Sequence, residues 1–418
     1  MEIERYSIGL GDRFGREGVA QLRALQKAER RGVTVVPVWN KSNREHSLIG
    51  TSPDDVRAGA DRAVKACGWS ASHYVDADHI GLKTVDRFLS ASDFFTIDVA
   101  DFIGQAASAD SGSAFLLTMA SMKGTFRLPG SSTSLEISGG LLEDVARRYL
   151  SAVEEAGRVY RHIAAKKGVG TFVPEISIDE AGSPQTPAEL LLILAAIARE
   201  GIPLQTIAPR FSGAFLKGID YVGDLQQFAR EFEDDLAVLE FAVQTFHLPD
   251  NLKLSIHSGS DKFSLYPMMH RAITKSGAGL HLKTAGTTWL EEVIGLASSG
   301  GAGLSLAREI YAQAYGRYDE LCRPYLAVIA IDRKKLPDPA LVGGWSSTQF
   351  VEALRHDQSC RGFNIHFRQL LHVAFKVAAE MGPRFTGLLE ECRGIIEENV
   401  TTNIFTRHIE PLFLGERT

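Results

Sequence analysis

Only 4 cysteines occur in 418 residues, at 67, 322, 360 and 392, and no two stand in a Cys-x-x-Cys spacing. Neither a disulfide framework nor a zinc knuckle is indicated, and buried thiols in a reducing compartment are expected. No apolar run approaches the roughly 18 residues of a membrane span, and the start Met-Glu-Ile-Glu-Arg has no basic region followed by an apolar one. The expectation is a cytoplasmic protein with no membrane partner. Runs of lysine or arginine that would track a phosphate backbone are missing too, and the formal net charge is -6, which argues against nucleic acid. The glycines of Gly9-x-Gly11 and Ser299-Gly-Gly-Ala-Gly303 complete neither Gly-x-Gly-x-x-Gly nor a P-loop, so they read as tight turns. No close His-x-x-x-His pair marks a ready-made metal site.

What is present is a steady alternation of short β-type runs and amphipathic windows. Eight strand candidates run Tyr6 to Leu10, Val33 to Val38, His73 to Asp78, Phe94 to Val99, Thr171 to Ile176, Pro203 to Ala208, Leu252 to His257 and Leu280 to Thr284. Helical spacing lies between them, as in Leu225 to Gln244 with Leu225, Phe228, Phe232, Leu236 and Leu239 on one face. Doubly wound sheets also alternate in this way, but the count of eight and the repeated polar strand ends favour an α/β fold of the TIM (β/α)8 barrel type. The barrel is expected over residues 1–300. An insertion at about 103–168, after the fourth strand, is too long to be a structureless loop and reads as a helical subdomain or lid. Beyond Gly300 strand patterning fades, so residues 301–418 are expected as a helical extension packing on the barrel.

The most informative stretch is Leu252 to Phe263. Leu252, Leu254 and Ile256 share one face, so Lys253, Ser255 and His257 share the other, and His257 ends the strand where a Ser/Gly loop begins. Gly279 to Gly286 repeats the arrangement with His281 and Lys283. Glu175 and His79 close two other strands. Imidazoles and carboxylates on the rim of a barrel suit a divalent ion such as zinc, cobalt, nickel or manganese, with His257, His281 and Glu175 as expected ligands and His79 next. The bland reading is that some of these histidines only satisfy backbone hydrogen bonds. Asp76, Asp78, Asp98 and Asp261 suit acid/base work, orientation of imidazoles or helix caps; Asp98 and Asp261 are the expected acid/base pair, and Asp101 a cap. Lys283 admits Schiff-base chemistry or neutralisation of a carboxylate. Arg13, Arg210, Lys262 and Arg368, the last beside His366, are the cations that an anionic substrate would meet.

The strings His257-Ser-Gly-Ser-Asp-Lys-Phe-Ser264, Asp76-Ala-Asp-His79, Val173-Pro-Glu-Ile176, His281-Leu-Lys-Thr-Ala-Gly286, Arg368-Gln-Leu-Leu-His-Val373 and Ala378-Ala-Glu-Met-Gly382 together resemble the bacterial tagaturonate epimerase family over nearly the whole chain. The resemblance implies a metal-dependent barrel enzyme that interconverts D-tagaturonate and D-fructuronate, with relatives acting on fructose and tagatose. The stereocentre that differs lies one carbon beyond the position α to the ketone, so α-proton exchange cannot invert it, whereas retro-aldol cleavage and rejoining can. The rival expectations are a neutral ketohexose 4-epimerase at the same site, a class II type aldolase, and a non-catalytic sugar-acid-binding protein. The partner is a sugar acid or ketohexose, and a homo-oligomer is compatible with the sequence, as is closure of the site by the tail through His366, Arg368 and His408.

Overall fold

The computed structural model describes residues 1–128, 133–284 and 287–415. Residues 129–132, within the Leu128 to Ser134 stretch, and Ala285 and Gly286, which end the His281 string, lie outside the described residues. The strands are β1 (Tyr6–Gly11), β2 (Val36–Ser42), β3 (Tyr74–Ile80), β4 (Phe94–Asp98), β5 (Gly124–Arg127), β6 (Ser134–Ile137), β7 (Val173–Ser177), β8 (Thr206–Ala208), β9 (Lys253–Ile256) and β10 (Leu280–Thr284). All but β5 and β6 form one closed parallel barrel in the order β1-β10-β9-β8-β7-β4-β3-β2. These are the eight expected strands, with ends shifted by a few residues.

Alternation along each strand sends one set of side chains outward to the helices and the other into the barrel. The outward set joins a large apolar core; helix Pro187–Arg199 alone buries Leu190 through Leu194 in it, each side chain worth about 1.5–3 kcal/mol. That helix starts at a capping box between Thr186 and Glu189 with Pro187 in its first turn. Inside the barrel the composition changes with depth. Ile3, Val36, Val38, Tyr74, Phe94 and Val173 form an apolar plug, and beyond it lie buried Ser7, Asn40, Asp76, Thr96, Glu175, Ser255, His281 and Lys283. Register places Gly9 beside Lys283 and Thr96 beside Glu175. A Cβ at Gly9 would come within 2.9 Å of the Asn40 amide nitrogen and 3.2 Å of Lys283 Cγ, so only glycine leaves room for the lysine to cross the barrel.

The insertion differs from a purely helical subdomain. It holds helix Ala109–Thr118, the antiparallel hairpin β5–β6, and the long helix Gly139–Lys167. The long helix packs against helix Pro187–Arg199 and β4, so it is the barrel's own outer helix, and only what precedes it stands outside the β/α repeat.

Among the described residues the tail is built of helices joined by loops, as expected, and its final segment packs on the barrel wall. Residues Asn403–Leu414, wound as a π-helix, pack between helix Gly18–Arg30 and helix Tyr266–Ser276, and the Phe413 ring lies 5.1 Å from that of Tyr6 on β1. They fill the outer position between β10 and β1. The helix that follows β10 in sequence, Thr287–Ser298, packs instead on Gly301–Gly316 and Arg393–Thr402.

Candidate active site

Three ligand-bearing side chains converge at the carboxyl ends of the strands. His79, Asp179 and His257 present atoms that all lie within 4.8 Å of one another, the one such group among the described residues. The two imidazole rings sit 5.1 Å apart. His257 arrives by strand alternation, as the sequence indicated. His79 arrives by a β-bulge: the β3–β4 register shifts between Ala77 and Ile80, and His79 takes φ 51. An extra residue in the strand lets Asp78 and His79 both address the barrel mouth. Asp179 follows β7, and its carboxylate accepts a hydrogen bond from Ser177 Oγ.

Around this group the charges interlock. His257 Nε2 donates to Glu175 Oε1 at 2.8 Å, and its Nδ1 faces Asp179 at 3.4 Å. Burial works against a charged His257, yet Asp179 and Glu175 raise it to about 10. His79 Nδ1 lies 3.1 Å from Asp98 Oδ2; burial opposes its charge, and Asp78 and Asp98 more than restore it. One layer deeper, Lys283 Nζ meets Asp76 and Asp78 at 2.8 Å each, Glu175 at 3.3 Å and Thr96 Oγ1 at 2.6 Å. Burial would strip its proton, but the three carboxylates hold the ammonium well above its usual value. Burial and the neighbouring carboxylates push Asp76 up to about 6. Glu175, despite burial, stays well below the usual range because Lys283 and His257 flank it.

The expected site residues therefore separate. His257, His79 and Asp98 meet at the mouth, and Glu175 and Lys283 lie directly beneath. His281 is deeper: its Nδ1 pairs with Ser7 Oγ at 2.9 Å, its ring faces Phe94, and burial drops it to about 3. It stands outside the convergent group, because alternation places it one layer nearer the plug. Asp261 is a correction to the acid/base pair: it is buried, at φ 62, in an ion pair with Arg368 at 2.9 Å. Lys262 is spent on the carbonyls of Leu216, Ile219 and Ser260, and Arg368 on those of Gly218 and Leu354. Arg210 reaches the Ala181 carbonyl and braces the loop that carries Asp179. His366 accepts from the Asp332 amide at 3.1 Å. Lys262, Arg368 and His366 are thus engaged by the protein itself, while Arg210 forms no ion pair among the described residues. Arg13 is paired with Glu45 and stacked 4.4 Å over Phe375.

Sequence reasoning passed over Asp179, Glu180 and Lys217. Asp179-Glu180 lies just past a strand end, a position that carries chemistry in barrels, and that signal was available. Glu180 is exposed on the rim, its carboxyl pushed up by what burial it has and by Asp179 and Asp98. Two cavities of about 240 and 460 Å³ open beside the mouth, between the loop after β1 and helix Pro53–Cys67. Neither is lined by a histidine, so the side-chain constellation, and not these two hollows, locates the chemistry.

The barrel architecture agrees with what the chain is similar to. A curated tagaturonate/fructuronate epimerase of Thermotoga maritima is 29% identical over 98% of this chain and 81% of its own length. Two crystal structures of the fructuronate-tagaturonate epimerase of Cohnella laeviribosi superpose on it. One is glycerol-complexed, with a TM-score of 0.81, 24% identity and coverage of 99% of this chain and 82% of that one. The other is native, with a TM-score of 0.78, 25% identity and the same coverage. The model of the family described as tagaturonate epimerase matches residues 1–412, and the chain belongs to that family.

Proposed function

We propose that the chain interconverts D-tagaturonate and D-fructuronate at the mouth of the barrel, with a divalent ion held by His79, Asp179 and His257. The observation that carries the metal assignment is the convergence of two imidazoles and a carboxylate within 4.8 Å, with His257 Nδ1 buried and turned to Asp179 at 3.4 Å. A histidine held protonated to about 10 between carboxylates marks strong negative potential, and a cation would take the place of that proton. Two nitrogens and one oxygen suit a borderline transition ion with open positions. When bound, such an ion supplies Lewis-acid polarisation of the substrate ketone and offsets the charge that cleavage develops there.

The chain's own groups carry the remaining steps. Asp98, partly open to solvent and hydrogen-bonded to His79, accepts the proton of the hydroxyl on the carbon to be inverted. The bond between that carbon and its neighbour on the ketone side then breaks, giving an aldehyde and an enediolate. The aldehyde turns its other face, the bond re-forms, and the proton returns from Asp98. Lys283 remains an ammonium among three carboxylates, so it fixes Asp76, Asp78 and Glu175 in place and does not act as an imine-forming amine.

The test is to strip the protein with a chelator, restore it with manganese or cobalt, and follow D-tagaturonate by NMR with D-fructose in parallel. Conversion to D-fructuronate only after restoration is expected. Conversion undiminished in the stripped protein overturns the metal assignment, and no conversion of the uronate by restored protein overturns the substrate.

A further inference from the structure

A uronate differs from its parent ketose by a carboxylate, and Arg368, Arg13 and Lys262 are already engaged by protein groups. The loop after β8 offers another group. Lys217 has a side chain with no hydrogen bond or ion pair among the described residues, although its backbone is tightly held. Its amide donates to the Val328 carbonyl at 2.8 Å, and its own carbonyl accepts from Gln369 Nε2 at 3.2 Å. The next residue, Gly218, lies so close to the His372 ring that a Cβ would stand 3.2 Å from it, and its carbonyl accepts from Arg368.

The same stretch of the tail also reaches Arg13 on the loop after β1. Gln369 and His372 touch the Lys217 loop, and Phe375 lies under the Arg13 guanidinium. Gln369 and His372 belong to helix Ile365–Val373, and Phe375 opens the next helix, Phe375–Glu380. These two short tail helices therefore contact both the loop after β1 and the loop after β8. Arg13 is already neutralised by Glu45. Lys217 is not paired among the described residues; burial lowers it to about 8, helped by Arg13 and opposed by Asp78, Asp179 and Glu180. A half-buried ammonium that no carboxylate or carbonyl claims among the described residues, within electrostatic reach of Asp78 and Asp179, is a counter-charge available to an anion.

We infer that Lys217 grips the substrate carboxylate and that this contact selects sugar acids over neutral ketoses. The inference rests on the epimerase reading. It also gives that reading a means of retention, because the carboxylate lies on the aldehyde fragment. A fragment held by its carboxylate turns about the bond next to the aldehyde without leaving.

Lys217→Met and Lys217→Arg are compared with the unaltered protein for KM with D-fructuronate, and for binding of D-gluconate and of neutral D-tagatose by calorimetry. Lys217→Met is expected to raise KM for the uronate and weaken gluconate binding about 10–100-fold, the worth of one charge-assisted hydrogen bond. Tagatose binding should be unmoved, and Lys217→Arg should restore most of the loss. Equal weakening of acid and neutral sugar, undisturbed acid binding in Lys217→Met, or no gluconate binding by the unaltered protein would overturn the inference. Gluconate selectivity that depends on Lys217 in a protein that does not interconvert the uronates would leave the clamp standing and remove the epimerase reading.

Discussion

Arg368 Nη2 and Asp261 Oδ2 lie 2.9 Å apart with both side chains closed to solvent, and they join the tail to the loop after β9 across 107 positions of sequence. The same arginine ties in Gly218 and Leu354, and the Asp261 amide donates to His408 Nε2 at 3.3 Å. Asp261 is thus a structural anchor for the tail.

Arg368→Met should cost about 3–5 kcal/mol, because it leaves Asp261 charged and unpaired in a dry setting. A urea midpoint measures it. The double variant Arg368→Met/Asp261→Asn should recover part of the loss, since no uncompensated charge remains; recovery of nothing would show that the carbonyl contacts of Arg368 carry the stability.

Metal retention separates the convergent group from the deeper histidine. His257→Ala and Asp179→Ala should lose bound manganese or cobalt in elemental analysis after gel filtration, with binding weakened 100-fold or more. His281→Gln should retain the ion, because His281 pairs with Ser7 one layer down. Loss of metal from His281→Gln alone would move the site inward.

Borohydride added during turnover should leave the mass of the protein unchanged. Lys283 is an ammonium fixed by Asp76, Asp78 and Glu175, so no reducible imine forms. Lys283→Met should also lower stability by about 3–5 kcal/mol, the cost of unpairing buried carboxylates. A mass increment on Lys283 would reinstate the imine route.

Acid should weaken the fold below about pH 6.5. Burial lowers His281 and His46 to about 3 and His408 to about 4, so each is neutral when folded and binds a proton on unfolding. A depressed value gives stability that is complete above the unfolded pKa and falls as pH drops below it, by about 1.4 kcal/mol per pH unit for each histidine. In metal-free protein His257, raised to about 10, acts oppositely: its contribution is complete below about pH 6.5 and fades as pH climbs from there to about 10. Denaturant midpoints from pH 7 down to 4.5 measure the slope, and His281→Gln should make it shallower.

The barrel was legible because buried strands leave a local signature, apolar residues at a period of two with polar ends. His257 and Glu175 follow from that period. His79 was legible as a strand-end residue, but its reach into the mouth depends on a bulge at Asp78 and His79, which no local pattern announces. Asp261 misled because Ser-Gly-Ser-Asp-Lys looks like an open polar loop, while the group that claims its charge, Arg368, is remote in sequence. Lys217 lies in an irregular loop, and its position comes from Gln369, Arg368 and His372 in the tail. What the sequence left hidden is long-range partnership.

The outer position between β10 and β1 is filled by Asn403–Leu414, with residues 285–402 intervening after the last strand. On the ribosome, the eight strands therefore emerge well before the segment that seals their final seam. Until it arrives, Tyr6 and the apolar flank of helix Gly18–Arg30 stay uncovered, a face that invites association with other nascent chains. Nascent barrel of this kind has reason to wait on a chaperone, and a premature stop before residue 403 would release a chain with every strand in place and an open greasy seam.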